Sequence, residues 1–384
     1  MANTITNVLP KMLAQGVLAL RQNSVLPRLV NRGYESLAAQ KGNVVNIPIP
    51  SAIAARDVTA SVTINSNVDS SPTVAVVTLD VWKEAPFHMS DNDFLSADGG
   101  FIPMQASEAI KSLANAADSY LSGKHTGIFG MAGTPGSSPF NASLNMASRA
   151  AMLLDRQLSP VDDRRAVIDP IAKENLILNS AILQTEQRGD NEGIVKGTIG
   201  MKLGFEWYMN QNLSRYTPGT GWASGNIAST VGGAVGDTTL NIINATASGQ
   251  IKVGDIFSFT ADTSSHQYVV TVTNTISATV QVAITFYPGL KTTVATGATL
   301  IVVSVPYTVN LAFHRDAFAW ASRPLAGGGI VSAGNLFQSP TDPISGIALR
   351  LELSRQYKQD TYSYDFLGGG NLVRAELAAK VAGQ

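Results

Sequence analysis

The chain has 384 residues, of which 45% are apolar and only 14% are charged, with a formal net charge of −1. This length predicts two or three structural units, and the low charge fits a surface that copies of the chain cover mutually. Without a basic excess, a dedicated phosphate-binding groove for nucleic acid is not expected. Because cysteine is absent, disulfides, thiolate catalysis and cysteine-based metal sites are excluded.

Secretion and membrane insertion are not expected either. The first twenty residues mix polar residues with Pro10, and no charged segment precedes an apolar run there. The longest apolar runs, such as residues 300–303, are far shorter than the roughly 20 residues that span a bilayer. A reducing cytoplasm is therefore the expected place of synthesis.

Residues 1–42 predict a thin N-terminal arm. Within residues 5–22, apolar side chains recur at helical spacing, at Leu9, Leu13, Val17 and Leu20. Pro27 and Gly33 then interrupt the pattern. The stripe is either a partner-binding helix or a locally packed core helix. We favour the partner, because the flanking sequence offers little for the stripe to pack against.

Residues 43–90 predict an extended β-hairpin loop. The period changes to two from Val44, and Pro48 favours an edge strand. Residues 51–73 are rich in Ser, Thr, Ala and Asn, and a second alternation then runs through residues 77–82. A polar stretch between two strands predicts a projecting loop that needs a neighbour to cover it.

Residues 91–216 predict a long spine helix followed by an α/β core. The helix should begin at Pro103 and end at Gly123, before a flexible loop at residues 127–138. A second helix, capped by Asn141 or Ser143, should follow. Its inward side chains are predicted to be Met146, Ala150, Leu153, Leu154 and Leu158. Short strands are expected at 166–168 and 205–208, with a helix start at Asp169-Pro170 after the first.

Residues 217–305 predict a small inserted all-β domain, and residues 306–384 return to the core. The insert is rich in Thr, Val, Gly and Ser, with short strands expected at 256–260, 268–272 and 299–303. Turns are expected at Gly236 and Gly254. The last region predicts long strands at 347–353 and 362–366, then three glycines and an Ala-rich tail.

Four segments carry a family resemblance. They are residues 41–50 (KGNVVNIPIP), 79–83 with 87–93 (LDVWK and FHMSDND), 310–318 (NLAFHRDAF) and 360–370 (DTYSYDFLGGG). In order and spacing they resemble the major capsid proteins of tailed double-stranded DNA phages, with the fold named for phage Hong Kong 97 (HK97-like). Their local sequence is similar in particular to the branch of short-tailed-phage coat proteins that carry an inserted β domain.

That resemblance implies an α+β HK97-like fold with N-arm, extended loop, spine helix, and peripheral and axial domains. It implies a coat protein that assembles with itself, as hexamers and pentamers, into the icosahedral shell around the phage genome. Scaffolding and portal proteins are expected partners, with a decoration protein as a further one. Packaged DNA would be contacted only non-specifically, and assembly would occur in the bacterial host cytoplasm.

No catalytic, cofactor-binding or metal-binding residue is expected. His88, His125, His266 and His314 are not at metal-ligand spacing. The run from Asp91 to Asp93 with Asp98 faintly matches a calcium loop, but helix capping is favoured. Residues 127–136 lack the Lys of a phosphate-binding loop. For residues 162–165 (DDRR) a solvated turn is favoured over an intersubunit ion cluster.

Two other functions remain open. One is a different virion structural protein, such as a tail-tube or decoration subunit, which we expect to lack the order of long loop and long helix. The other is a soluble carbohydrate-binding or hydrolytic protein. It would need clustered aromatic residues or paired carboxylates in the insert, which offers Trp222, Tyr268, Phe286 and Tyr287 but few acids.

Overall fold

The computed structural model describes residues 17, 20, 24–34, 42–51, 53, 55, 57, 70–96, 101–141, 143–183, 197, 199–222, 227–244, 248–262, 264–325 and 336–384. Most of the predicted arm, most of the hairpin tip and the predicted Asp98 position lie outside these residues. We call the chain outside the predicted insert (residues 217–305) the host. Helices and strands are mixed in its described residues, as predicted.

A 23-residue helix, α3 (Phe101–Gly123), is the longest described helix. It begins two residues before the predicted start at Pro103 and ends at Gly123, as predicted. Its apolar stripe, including Ile110, Leu113 and Leu121, is buried in the largest core cluster. The short helices α1 (Leu26–Leu29) and α2 (Asp91–Ser96) precede it.

The spine helix packs on a sheet built around one long strand, β21 (Gln359–Leu372). Its antiparallel partners are β3 (Val81–Ser90), β18 (Phe318–Arg323) and β20 (Leu349–Gln356), and β20 also pairs with β19 (Leu336–Gln338). The alternation predicted at 347–353 and 362–366 is confirmed, because its apolar positions are buried in the core.

A second sheet forms the rest of the host. Its order is β4 (Gly130–Ala132), β22 (Ala378–Ala382), β17 (Tyr307–His314), β5 (Arg164–Ile168), β7 (Phe205–Met209) and β6 (Met201–Lys202), with β8 (Arg215–Tyr216) on β17. The helices α4 (Asn145–Arg156), α5 (Pro170–Leu178) and α6 (Ser180–Leu183) belong to the same region. As predicted, Asp169 caps α5, accepting the Ala172 N–H at 3.2 Å.

Strands β1 (Val44–Ile49) and β2 (Thr73–Thr78) form the predicted antiparallel hairpin base. The alternation predicted through residues 77–82 is confirmed, because Val77, Leu79 and Val81 are buried and the residues between them are exposed. The strand itself breaks there, since β2 ends at Thr78 and β3 begins at Val81. The inner face of the hairpin packs with Ala319, Ala321 and Leu367 in a small core of its own. The base therefore rests on this chain's own sheet.

The insert contains strands and turns only, within its described residues. Its main sheet has the order β16 (Leu300–Val302), β12 (Ile256–Phe259), β13 (Tyr268–Val270), β15 (Gln281–Tyr287), β10 (Thr239–Asn244) and β9 (Ile227–Ser229). An antiparallel bridge between Ala228 and Thr299 joins the two outer strands and closes a barrel. Strands β11 (Gly249–Ile251) and β14 (Asn274–Ile276) pair separately. The predicted turns at Gly236 and Gly254 have positive φ.

Two segments predicted as a loop and a tail are buried strands. The loop at 127–138 contains β4, and the Ala-rich tail forms β22 between β4 and β17. The three glycines lie inside β21, where a Cβ on Gly369 would stand 1.9 Å from the Thr78 carbonyl oxygen. Glycine and alanine have low strand propensity, so tertiary packing decides these positions.

The second helix also departs from prediction. Its N-cap is Leu144, and neither Asn141 nor Ser143 is the cap, although the Ser143 hydroxyl accepts the Asn145 N–H at 3.1 Å. Leu158 was predicted to point inward but is 90% exposed with a φ of 57°, because α4 ends at Arg156.

The predicted solvated turn at 162–165 is correct for Asp162 and Asp163, which are exposed, but wrong for Arg164. The Arg164 side chain is buried, lies 2.7 Å from Asp155 and donates to the Ser159 carbonyl.

The predicted partner-binding stripe is wrong for Leu20. This residue is helical and fully buried in the main core, which also contains Leu26 and Leu29 of α1. Leu9 and Leu13 lie outside the described residues.

Candidate functional site

The outer face of the hairpin is exposed and mostly apolar, with Asn46 and Thr78 as its polar residues. Pairing of β1 with β2 puts Val44, Pro48, Val74 and Val76 on the face opposite the packed side. Val44 and Val74 are each more than half exposed. A contiguous exposed apolar face indicates a contact surface for another molecule.

A tight turn of the insert, residues 252–255, forms one of its contacts with the host, and we call this region the neck. Elsewhere the Gln267 side chain bonds the Met131 backbone, and Arg156 donates to the Ser264 carbonyl. Asp255 is its hub, with a buried carboxylate that accepts the Trp222 indole N–H at 2.6 Å and the Lys252 N–H at 2.7 Å. The Tyr216 hydroxyl donates to the same carboxylate at 2.8 Å from the end of β8. The Gly219 N–H also points at it, 3.1 Å away. The carboxylate thus joins the entry strand to the barrel.

Lys380 reaches the neck from host strand β22. It is fully buried, and its Nζ lies 3.4 Å from the Gly254 carbonyl and 5.6 Å from the centre of the Tyr216 ring. Burial lowers the pKa of Lys380 to about 7, and the nearby Asp255 charge opposes that shift. Fully buried lysines are rare in proteins unless they are paired, so the burial of Lys380 is unusual.

His125 completes the neck from the turn that follows α3. Its Nδ1 lies 2.9 Å from the Ser122 carbonyl, and its ring stands edge-on to Tyr216. Burial lowers the pKa of His125 to about 4, and the charge of Lys380 adds to that effect. The Nε2 of His125 and the hydroxyl of Tyr307 are buried with no hydrogen-bond partner among the described residues.

Asp118 of α3 holds the segment that leads into α1. Its carboxylate accepts the N–H groups of Val25 and Leu26, at 3.2 and 3.0 Å, and the Asn210 side-chain amide at 3.0 Å. α1 has no side-chain cap of its own, so Asp118 caps it from across the core. Burial raises the pKa of Asp118 to about 7, and these three donors oppose the rise.

The sequence did not single out Asp118, Lys380 or Asp255 as special. Asp255 was recognised only as a turn residue. The one available signal for Lys380 was its position as the sole charge among the five residues of β22.

The structure does not bring the four histidines together. His125 lies in the neck, His314 accepts the Asp316 N–H, and His88 is exposed on β3. The Nδ1 of His266 lies 2.8 Å from the buried Asp262 carboxylate. Among the described residues, no hydroxyl group forms a hydrogen bond with the Nε2 of His266. Among the described residues, no group of three or more His, Asp or Glu side chains is placed to hold a metal ion.

The acidic run at 91–93 behaves as a helix start. Ser90 and Asp93 exchange hydrogen bonds at the beginning of α2, with the Ser90 hydroxyl accepting the Asp93 N–H at 3.1 Å. Asp91 pairs with Arg355 at 2.7 Å. The favoured capping interpretation agrees with this geometry, although Asp98 lies outside the described residues.

Three of the four aromatic residues singled out in the insert form its core, whereas Tyr287 is 37% exposed. Trp222, Tyr268 and Phe286 are buried around Phe257, with ring centres 5.4 to 6.1 Å from it. Buried rings cannot stack on a sugar, which argues against a carbohydrate platform at these positions. A crevice of about 390 Å³ between host and insert is lined by residues including Leu153, Arg156 and Lys291.

No helix in the described part of the chain has both the length and the apolar character needed to cross a bilayer.

Comparison with known proteins gives a structural likeness only. No protein-family model matches the chain, and no curated protein matches its sequence. A solved chain from Mycobacterium phage Che8 is similar, with a TM-score of 0.52 and 18% identity over 93% of this chain and 90% of that chain. The capsid structure of the Cyanophage P-SCSP1u matches at 0.49, with 11% identity over 89% and 84%. The mature capsid of bacteriophage PhiM1 matches at 0.47, with 8% identity over 90% and 83%.

The likeness to the Che8 chain extends over nearly all of both chains and therefore shows a shared fold. The α+β HK97-like fold predicted from the sequence is confirmed. The predicted boundaries of the domains, and the autonomy of the insert, stay predictions.

Proposed function

We propose that this chain is the major capsid protein of a tailed phage and that its copies assemble, as hexamers and pentamers, into an icosahedral shell around the genome. The observation that carries the proposal is the HK97-like fold, shared with a phage chain over 93% of this sequence. Fold alone does not fix function, so a feature of the surface has to support it as well.

The uncovered face of the hairpin gives that support. Val44, Val74 and Val76 are exposed on a two-stranded projection whose inner face is already packed. Covering such a face removes apolar area from water, worth about 25 cal/mol per Å². A neighbouring copy in a shell would cover it without any additional partner.

The proposed role is structural rather than enzymatic. Scaffolding and portal proteins are the proposed assembly partners, and a decoration protein is a further one. DNA would be contacted only non-specifically, since the net charge of −1 provides no excess of cations. The proposed location is the virion, after assembly in the bacterial host cytoplasm.

The test is assembly of the purified full chain, alone and coexpressed with its neighbouring genes. Size-exclusion chromatography with light scattering should show megadalton particles, and electron microscopy should show closed shells. A monodisperse monomer under all of these conditions contradicts the proposal, and so do open tubes of the tail-tube type.

A further inference from the structure

The neck is the place where the insert meets the host through buried ionisable groups. Both connections to the insert run side by side there, because Tyr216 of β8 pairs with Tyr307 of β17. The insert's turn at 252–255 lies against this pair, and a Cβ on Gly254, whose φ is 97°, would stand 3.1 Å from the Tyr216 hydroxyl. The turn, the two connections and β22 therefore meet at one point.

Two nitrogen bases in the neck have too few acceptors. Lys380 can donate three hydrogen bonds, and among the described residues it has one acceptor, the Gly254 carbonyl at 3.4 Å. His125 has its Nδ1 near the Ser122 carbonyl and its Nε2 without a partner among the described residues. A proton added to either base would therefore be poorly solvated where it sits.

The other ionisable groups that face these bases are few. Asp255, from the insert's turn, is the only described carboxylate that acts on Lys380, and its oxygens already accept bonds from Tyr216, Gly219, Trp222 and Lys252. Tyr216 contacts both bases and Tyr307 contacts Tyr216, and burial raises the pKa of both tyrosines well above its usual range. The tyrosines therefore stay neutral near physiological pH.

We propose that the neck is an acid-loosened latch: protonation of Lys380, and then of His125, frees the turn at 252–255 from β22 and opens the hydrogen bonds that close this turn. The inference concerns the single chain and does not depend on its assembling into a shell. Its failure and a failure of the proposed function are thus separate outcomes.

The direction of the pH effect follows from the two bases. The pKa of Lys380 falls from 10.5 to about 7 in the closed neck, so an opened neck binds one proton more between these values. Opening is then favoured about tenfold for each unit of pH decrease from 10.5 towards 7, and this effect levels off below 7. The pKa of His125 falls from 6.5 to about 4, which adds a second step between those values.

Hydrogen–deuterium exchange of the full chain, read by mass spectrometry between pH 5 and pH 9, tests the latch. The reporters are the amides of Lys252, Gly254 and Asp255, which are hydrogen-bonded in the closed turn. Labelling times are scaled to the intrinsic exchange rate at each pH. We expect protection to fall by about tenfold per unit from pH 9 to pH 7, to level off, and to fall again below about 6.5.

Substitutions of Lys380 and His125 test which residue causes each of the two falls in amide protection. Lys380→Met, close to lysine in shape and apolar, should abolish the first step only, and Lys380→Leu serves if the first variant does not fold. His125→Phe should abolish the second step only. The matched controls are Lys83→Met and His88→Phe, which replace exposed residues on β3 and should change neither step.

Three results would overturn the latch. The first is protection of the turn that does not vary with pH in the unmodified chain. The second is a first step that survives in folded Lys380→Met or Lys380→Leu protein. The third is an equal loss of protection in β21 of the host, which would mean global unfolding rather than a local opening.

Discussion

Leu351 lies in the middle of β20 with its side chain fully buried, whereas its neighbour Glu352 points to the other face and is partly exposed. Replacing Leu351 with Asp would put an unpaired charge in the main core, at a cost of about 3–5 kcal/mol. We expect Leu351→Asp protein to be insoluble or degraded. Glu352→Lys is the control and should remain folded. Soluble, cooperatively unfolding Leu351→Asp protein would mean that this face is not a core face.

Asp118 is expected to be the anchor of the N-terminal segment. The Asp118→Leu variant keeps the size of the side chain but leaves the Val25, Leu26 and Asn210 donors without their acceptor. At about 1–3 kcal/mol for each buried unsatisfied donor, the free energy of unfolding should fall by about 3 kcal/mol or more. Urea unfolding measures this fall.

The control for Asp118 is Glu108→Leu, the same chemical change at an exposed position of the same helix. That variant should shift the urea midpoint little, because the ion pair that Glu108 forms with Lys111 is exposed. Equal shifts for both variants would show that Asp118 does not hold the segment.

At the scale of elements, the seating of the hairpin on β21 depends on Gly369. A methyl group at this position would stand 1.9 Å from the Thr78 carbonyl oxygen, which is backbone and cannot rotate away. We expect Gly369→Ala to lower the free energy of unfolding by about 3 kcal/mol or more, through overpacking. Gly123→Ala is the control, because a Cβ there meets nothing within 4 Å. It should be neutral or stabilising by up to about 1 kcal/mol. A Gly369→Ala protein as stable as this control would show that the hairpin is not seated as described.

The outer face of the hairpin should matter for assembly and not for folding. Val76 is 42% exposed and lies opposite Asn46, away from the inner core of the hairpin. We expect Val76→Lys to leave the thermal midpoint within a few degrees of the parent and to reduce the yield of particles seen by light scattering. Val280→Lys, at an exposed valine on the insert, is the matched control. Normal particle yield from Val76→Lys would remove this face as a contact.

Periodicity predicted the elements whose burial is one-sided. The spine helix and the strand at 349–356 carry clear stripes, so their faces could be assigned from the sequence. The strand at 359–372 alternates only at its start, because residues 364–370 are all buried. Strand β22 has no stripe, because all five of its residues are buried. Helix α4 ends two residues earlier than its apolar pattern, and that leaves Leu158 exposed.

The buried polar contacts of Asp118, Lys380 and Asp255 could not be predicted either, because they depend on the folded arrangement of the chain. Asp118 meets Val25, and Lys380 meets Gly254, across long sequence separations that no local pattern records. Asp255 was recognisable as a turn residue, but its bonds to Tyr216 and Trp222 require the folded neck. The partners of a buried charged residue are set by the tertiary structure. The pattern of a single sequence therefore predicts which face of an element is buried more readily than it predicts these contacts.

At the scale of the whole molecule, the insert has most of the features of an independent domain. Its core cluster is drawn entirely from residues between Trp222 and Leu300, and its main sheet closes on itself through Ala228 and Thr299. Closure leaves few strand edges free to aggregate. Three of its apolar residues, Ile256, Val269 and Val303, pack instead with the host core.

The last prediction follows from the insert having a core of its own but also packing three residues against the host. Residues 217–305, expressed alone, should give a monomeric β domain that unfolds cooperatively in urea, with a net stability of only a few kcal/mol. Residues 214–308 should be more stable, because Asp255 then keeps the Tyr216 hydroxyl as a donor and β8 keeps its pairing with β17. Far-ultraviolet circular dichroism with a urea melt, and an amide NMR spectrum, measure both segments. If both segments lack an unfolding transition, the barrel depends on the host core and the boundary at 217–305 is wrong. If the longer segment is no more stable than the shorter one, the Tyr216–Asp255 bond does not stabilise the neck.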